Sequence, residues 1–242
     1  PRYKKFSSKI IIFDFCRPDN KLYQYPYAIY FKHKMFRKQG SENLWIEHPK
    51  PIYNIQHCLK NECLKFKDKF KDPRDIDISI FFNPSLEGKY LYRERLAGFI
   101  QEHFSEKYNI WVGVIGHDGK EGRSHAQDDY FQKMFRSKIV VTCGPNTWEG
   151  DYRLYEALFS GALVYSDKIY TQVVNPFINK KHLLYYDRDN FEELITLIPY
   201  YLEHSLEREK IRNQGQKFVL EKHLPQNRID EVLNVIRKSR TL

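Results

Sequence analysis

Long apolar runs are missing from these 242 residues. No stretch approaches the about 20 consecutive apolar residues that a bilayer-spanning helix needs, so no membrane span is expected. No signal-peptide pattern stands at the start. The sequence opens at Pro1 and not at Met, which fits a longer parent with its upstream part removed or left out. The expected location is therefore cytoplasmic or unassigned. Cysteine is scarce too: Cys16, Cys58, Cys63 and Cys143 are too few and too unevenly spaced for a disulfide scaffold. Free thiols in a reducing compartment are expected. Cys58 and Cys63 stand near His57, yet no second ligand pair follows at zinc-site spacing. Internal repeats and low-complexity tracts are absent.

Aromatic residues, by contrast, are abundant, with 18 Tyr and 17 Phe. They suit a filled core or a pocket that stacks rings and sugars. Forty Lys+Arg against 31 Asp+Glu leave a net charge of +9, which favours anionic partners in general. The basic residues are dispersed and no nucleic-acid motif accompanies them, so no nucleic-acid partner is expected.

Up to about residue 75 only two strands are expected, over residues 8–15 and 27–31, because Gly, Pro, His and Lys interrupt every run in 39–75. Beyond that the pattern alternates. Strands are expected over 76–82, 110–115, 138–143, 162–166 and 183–186, with helices over 92–104, 129–136 and 151–160. Asp189 with Glu192 reads as a capping box for a helix that Pro199 kinks. Gly215 is a weak point in a helix over 205–223. Pro225 opens a last helix whose buried stripe is Ile229, Val232, Leu233 and Ile236. Such alternation predicts an α/β fold with a doubly wound parallel sheet. A short N-terminal lobe is expected over residues 1–75 and a Rossmann-like nucleotide-binding lobe over 76–242.

Ligands of such sheets sit outside the carboxyl ends of the strands. The loop Gly144, Pro145, Asn146 to Asp151 lies at one such end and runs straight into a helix closed by Gly161. Its unpaired N–H groups and positive dipole end suit a diphosphate. Arg153 stands in the first turn, where a cation opposes the dipole unless an anion is present. Glu156, three residues on, shares its face and suits two vicinal ribose hydroxyls. Arg123 and His125, in a glycine-rich loop at another strand end, are within reach of the same phosphates; a solvated loop is the equal alternative.

The run Ser137-Lys-Ile-Val-Val141, then Gly144, Pro145 and Asn146, then Asp151-Tyr-Arg-Leu-Tyr-Glu-Ala-Leu-Phe-Ser-Gly-Ala-Leu-Val164 resembles the donor-site motif of GT-B glycosyltransferases. The exostosin-like and group-1-like members are the most similar, over roughly residues 76–236. The resemblance implies transfer of a sugar from a nucleotide-diphosphate donor, a UDP-sugar, to a hydroxyl of a glycan or glycoprotein acceptor, without a metal or other cofactor. It makes the N-terminal lobe the acceptor side. It places Glu156 on the ribose, Arg153 on the diphosphate and residues 144–146 along the phosphates, with Asp151 also in the donor site and Trp148 and Tyr152 flanking base or sugar, or else part of the core. Two departures stand out. Glu149 and Glu156 are seven apart, where retaining relatives have two glutamates eight apart, and the N-terminal lobe is short.

A transferase that inverts needs a base at the acceptor hydroxyl. Asp14 and Asp19 are the candidates, with a capping or turn role as the alternative. The pairs Asp75/Asp77 and Asp187/Asp189 mimic a metal-binding Asp-x-Asp but read as structural. A non-catalytic nucleotide-sugar or glycan-binding module of a larger protein is the competing function.

Overall fold

A computed structural model describes residues 10–15, 29–32, 52–82, 91–114, 128–145, 149–170 and 173–240. Strands β1 (Ile11–Asp14), β2 (Ile29–Lys32) and β3 (Ile52–Asn54) form a parallel sheet in the order β1-β2-β3. Strand β3 lies in the stretch that lacked a readable pattern; three residues are too few to display a two-residue period. In register, Phe13, Phe31 and Tyr53 make an aromatic ladder, with ring centroids 5.0 and 5.7 Å apart. Asp14, Lys32 and Asn54 form the next row, at the carboxyl ends.

The chain then enters a 3-10 helix, Asn61–Phe66. Leu59, Cys63 and Phe66 are buried there, and the Phe66 ring stacks on Phe131 at 4.3 Å. This segment is therefore packed on the larger sheet's helices, although it follows the smaller sheet in sequence.

That larger sheet has the order β5-β4-β6-β7-β8, all parallel. Its strands are β4 (Ile76–Phe82), β5 (Ile110–Val114), β6 (Ser137–Thr142), β7 (Leu163–Asp167) and β8 (Leu184–Tyr186). The helices are α1 (Leu91–Phe104), α2 (Asp128–Phe135), α3 (Tyr152–Ser160), α4 (Glu193–Glu203), α5 (Ser205–Lys222) and α6 (Pro225–Arg240). Successive strand residues point to opposite faces, so both faces need cover. Ile78, Ile80, Ile139 and Val141 meet α1 and α4 on one side. Phe81, Val140 and Val164 meet α2, α3 and the 3-10 helix on the other. Burying each such aliphatic side chain contributes about 1.5–3 kcal/mol.

Three local expectations are corrected. Helix α4 starts at Glu193, and its N-cap Glu192 makes no capping hydrogen bond. Asp189, expected as the cap with Glu192, instead accepts from Tyr92 Oη, and the neighbouring Glu193 accepts the Asp187 N–H. Gly215 is no weak point, because a Cβ there would lie 2.1 Å from the His182 carbonyl oxygen. It is the contact that lets α5 lie close to the chain before β8. Ile229 and Leu233 of α6 are exposed rather than buried; the helix instead buries Arg228, whose Nη2 donates to the Lys222 carbonyl. An apolar stripe reports a face that can be covered, and tertiary contacts decide whether it is.

Candidate functional site

Strand β4 is flanked by β5 on one side and β6 on the other, so the order reverses there. In an open parallel sheet this switch point, at the carboxyl ends, is where a crevice forms. The segment after β6, Cys143 to Pro145 and then Glu149 to Asp151, stands at that edge.

Buried side chains from three other elements hold this loop. From α1, Arg93 Nε donates to the Cys143 carbonyl at 3.1 Å, and its Nη2 pairs with Asp151 Oδ2. From the end of β7, Asp167 Oδ1 accepts the Gly144 N–H at 2.8 Å. From beyond β8, Arg188 Nη1 donates to the Pro145 carbonyl at 2.9 Å and lies 3.6 Å from Asp167 Oδ2. The Arg188 guanidinium also sits 3.9 Å above the Tyr92 ring, a cation–π contact strengthened by its burial. Glu149 accepts the Tyr170 N–H at 3.1 Å, tying the far side of the loop to the chain after β7. Burial, with Asp167 beside it, pushes the Cys143 thiol up to about 11. It is therefore a packing residue and not a nucleophile.

Gly150, at φ +79°, turns the chain into α3. Asp151 is the N-cap residue in extended conformation, yet its carboxylate makes no capping bond to the helix. Its Oδ2 accepts from Arg153 Nη1 at 2.6 Å as well as from Arg93. Arg153 is buried. Burial opposes its charge, but Asp151 above all, with Tyr130 and Glu156, more than offsets this and lifts its pKa above the ordinary arginine range. Glu156 is buried beside it and accepts Tyr130 Oη at 2.7 Å.

The other end of α3 is closed differently. Gly161, at φ +73°, takes the left-handed conformation that ends the helix. Its last carbonyls receive side-chain donors: Gln216 Nε2 on Phe159 at 2.7 Å, Arg74 Nη2 on Ser160 at 2.6 Å and Arg212 Nη1 on Gly161 at 2.9 Å.

Of the residues expected from sequence, Gly144, Pro145, Asp151, Tyr152, Arg153 and Glu156 come together here. Asn146, Trp148, Arg123, His125 and Asp19 lie outside the described residues. Asp14 ends β1 in the smaller sheet, buried, accepting from Lys32 Nζ at 2.7 Å and Tyr30 Oη at 2.6 Å. Asp75 pairs with Arg136 and Asp77 with Lys138, while Asp187 accepts the Asp189 N–H at 2.9 Å. Sequence reading missed Arg93, Asp167 and Arg188, whose partners lie far along the chain. It also missed His57: its ring lies edge-on to Tyr152 at 4.4 Å, and a Cβ on Gly150 would sit 3.4 Å from it. The signal available was position, since Asp167 and Arg188 both stand at strand ends of a predicted parallel sheet.

The family model described as Glycosyl transferase-like matches residues 93–234. No curated protein matches the chain. Among solved structures, TarM is similar with a TM-score of 0.54 at 11% identity, over 87% of this chain and 51% of that one. A sucrose-phosphate synthase from Thermosynechococcus elongatus has a TM-score of 0.54 at 12% identity, over 80% and 54%. An alpha-glucosyltransferase in complex with UDP-glucose and DNA has 0.56 at 12% identity, over 88% and 66%. The fold is that of the GT-B glycosyltransferases, and the chain spans about half to two thirds of the length of these structures.

Proposed function

The chain belongs to the glycosyl transferase-like family, and from that premise we propose that it carries the donor site of an enzyme moving a sugar from a nucleotide diphosphate, UDP by preference, to an acceptor hydroxyl. The observation that carries this reading is the buried Arg153 in the first turn of α3, at the switch point of the sheet, with Asp151 and Glu156 beside it. A cation there opposes the helix dipole, and a bound diphosphate removes that conflict.

In the proposed reaction the bond between the sugar's anomeric carbon and the diphosphate oxygen breaks as the acceptor oxygen attacks that carbon. The acceptor proton passes to a base. Negative charge grows on the departing diphosphate, where the start of α3 and Arg153 are already oriented to receive it, so no metal is required. Glu156, held by Tyr130, faces the ribose hydroxyls. Asn146, Arg123 and His125 extend the phosphate contacts. The base is Asp14 or Asp19; the Asp14 carboxylate is anchored by Lys32 and Tyr30.

Thermal-shift screening against nucleotides and nucleotide sugars tests the reading, since a ligand of the folded state raises Tm by mass action. A nucleoside diphosphate that raises Tm in the wild type and not in Glu156→Ala, which should still fold, supports it; a shift preserved in that variant overturns the ribose assignment. A nucleic-acid acceptor is the second reading. It is favoured by the +9 charge and by the DNA bound in the alpha-glucosyltransferase complex. Release of nucleoside diphosphate from the donor, stimulated by glycan and not by DNA, decides for a glycan. A chain that binds donor without cleaving it is the non-catalytic module instead.

A further inference from the structure

We propose that Arg93 is a positioning residue for the donor site: by sharing the Asp151 carboxylate, it keeps the charge of Arg153 available to the donor diphosphate. This rests on the donor-site reading above.

One oxygen of Asp151 receives both Arg93 Nη2 and Arg153 Nη1. Arg153 is two residues from Asp151 and buried. Alone with that carboxylate it would form a closed, neutral pair, and an incoming anion would have to break it. Arg93 removes that requirement. Its guanidinium is held in two directions, by the Cys143 carbonyl at one end of the loop and by Asp151 at the other. With Glu156, which is buried beside Arg153, the four groups Arg93, Asp151, Arg153 and Glu156 are formally neutral; without Arg93 they would carry a net negative charge that opposes a diphosphate.

The topology explains why this residue and not a neighbour does it. Arg93 follows β4 at the start of α1, whereas Asp151 and Arg153 follow β6. Those two strands flank the switch point. Each side of the crevice thus contributes one arginine to the same carboxylate. The relation is reciprocal: Asp151 restrains Arg153 in the empty site, and Arg93 weakens that restraint.

A charge-balancing role and direct contact with the ligand give opposite outcomes in a double-mutant cycle. Binding of UDP, ADP and GDP is measured by calorimetry for the wild type, Arg93→Met, Arg93→Lys, Asp151→Asn and the Arg93→Met/Asp151→Asn double variant, with Tm of each. Arg93→Met should weaken binding roughly 30-fold or more, as expected for loss of one partner of a buried charge pair. Arg93→Lys should recover part of it. Removing Asp151 as well should restore affinity to within about 3-fold of wild type, because the carboxylate that captures Arg153 is then gone. A double variant as weak as Arg93→Met would overturn the proposal. If Arg93→Met does not fold, Asp151→Asn decides: asparagine still suits the N-cap, and binding should tighten. Unchanged or weaker binding in that variant overturns the role of Arg93 while leaving the donor site standing. A wild type that binds none of the three nucleotides overturns both.

Discussion

The two ends of α3 are built to opposite plans. At the C-terminal end, three carbonyls that the helix cannot satisfy itself each receive a buried or half-buried side-chain donor, from Arg74, Arg212 and Gln216. At the N-terminal end, the N-cap carboxylate turns from the helix to Arg93 and Arg153. A helix terminus left without partners costs free energy, so a fold built for stability alone would cap both ends. On the proposed donor-site reading, the difference separates a stability device from a binding device within nine residues.

The sharpest way to break this comparison is Arg153→Ala. Nucleotide-dependent stabilisation and sugar transfer should fall by about 100-fold or more, because a buried cation facing the phosphates is lost. Kinetics and thermal shift check this, and retained activity would place the donor elsewhere. Arg74→Met should do the reverse. It leaves the Ser137 and Ser160 carbonyls without their donor, costing about 2–3 kcal/mol in a denaturant titration. The nucleotide-induced shift should be unchanged; a lost shift would mean the two ends are coupled.

The middle of α3 carries an acid sensitivity. His223, buried beside Tyr155 of α3, has its pKa pushed down from 6.5 to about 3 by burial, with Arg228 and His182 adding to it. Below pH 6.5 the unfolded chain takes up a proton that the folded one refuses. The contribution is therefore complete above pH 6.5 and declines as pH falls towards 3, by up to about 1.4 kcal/mol per pH unit. In His223→Gln this part of the slope should vanish; an unaltered pH profile would refute it. Smallest is Gln216→Leu, which removes the donor to Phe159 and should cost about 1 kcal/mol with donor binding intact. Chemical denaturation of the variant measures it.

Much of the larger sheet was readable because its strands are buried on both faces and appear as short apolar runs between turn residues. Residues 76–82 match β4, and the expected helix over 151–160 differs from α3 by one residue. The smaller sheet was only partly readable, since β3 has three residues. Within the site, Arg153 was legible as a cation at the wrong end of a helix, a conflict visible within one turn. Arg93 and Arg188 had no such mark, because their partners Asp151 and Pro145 lie 58 and 43 residues away.

By itself, then, the sequence determined the local decisions beyond residue 75: which segments form the larger sheet and its helices, where Gly161 ends α3, and which loop runs from strand to helix at the carboxyl edge. These follow from backbone preference and apolar period, which act over a few residues. Tertiary structure alone decided which face of α6 is covered, where Gly215 meets a neighbouring backbone, and which carboxylate each buried arginine meets. Those depend on strand order, and strand order brings together residues that nothing in the local chain relates.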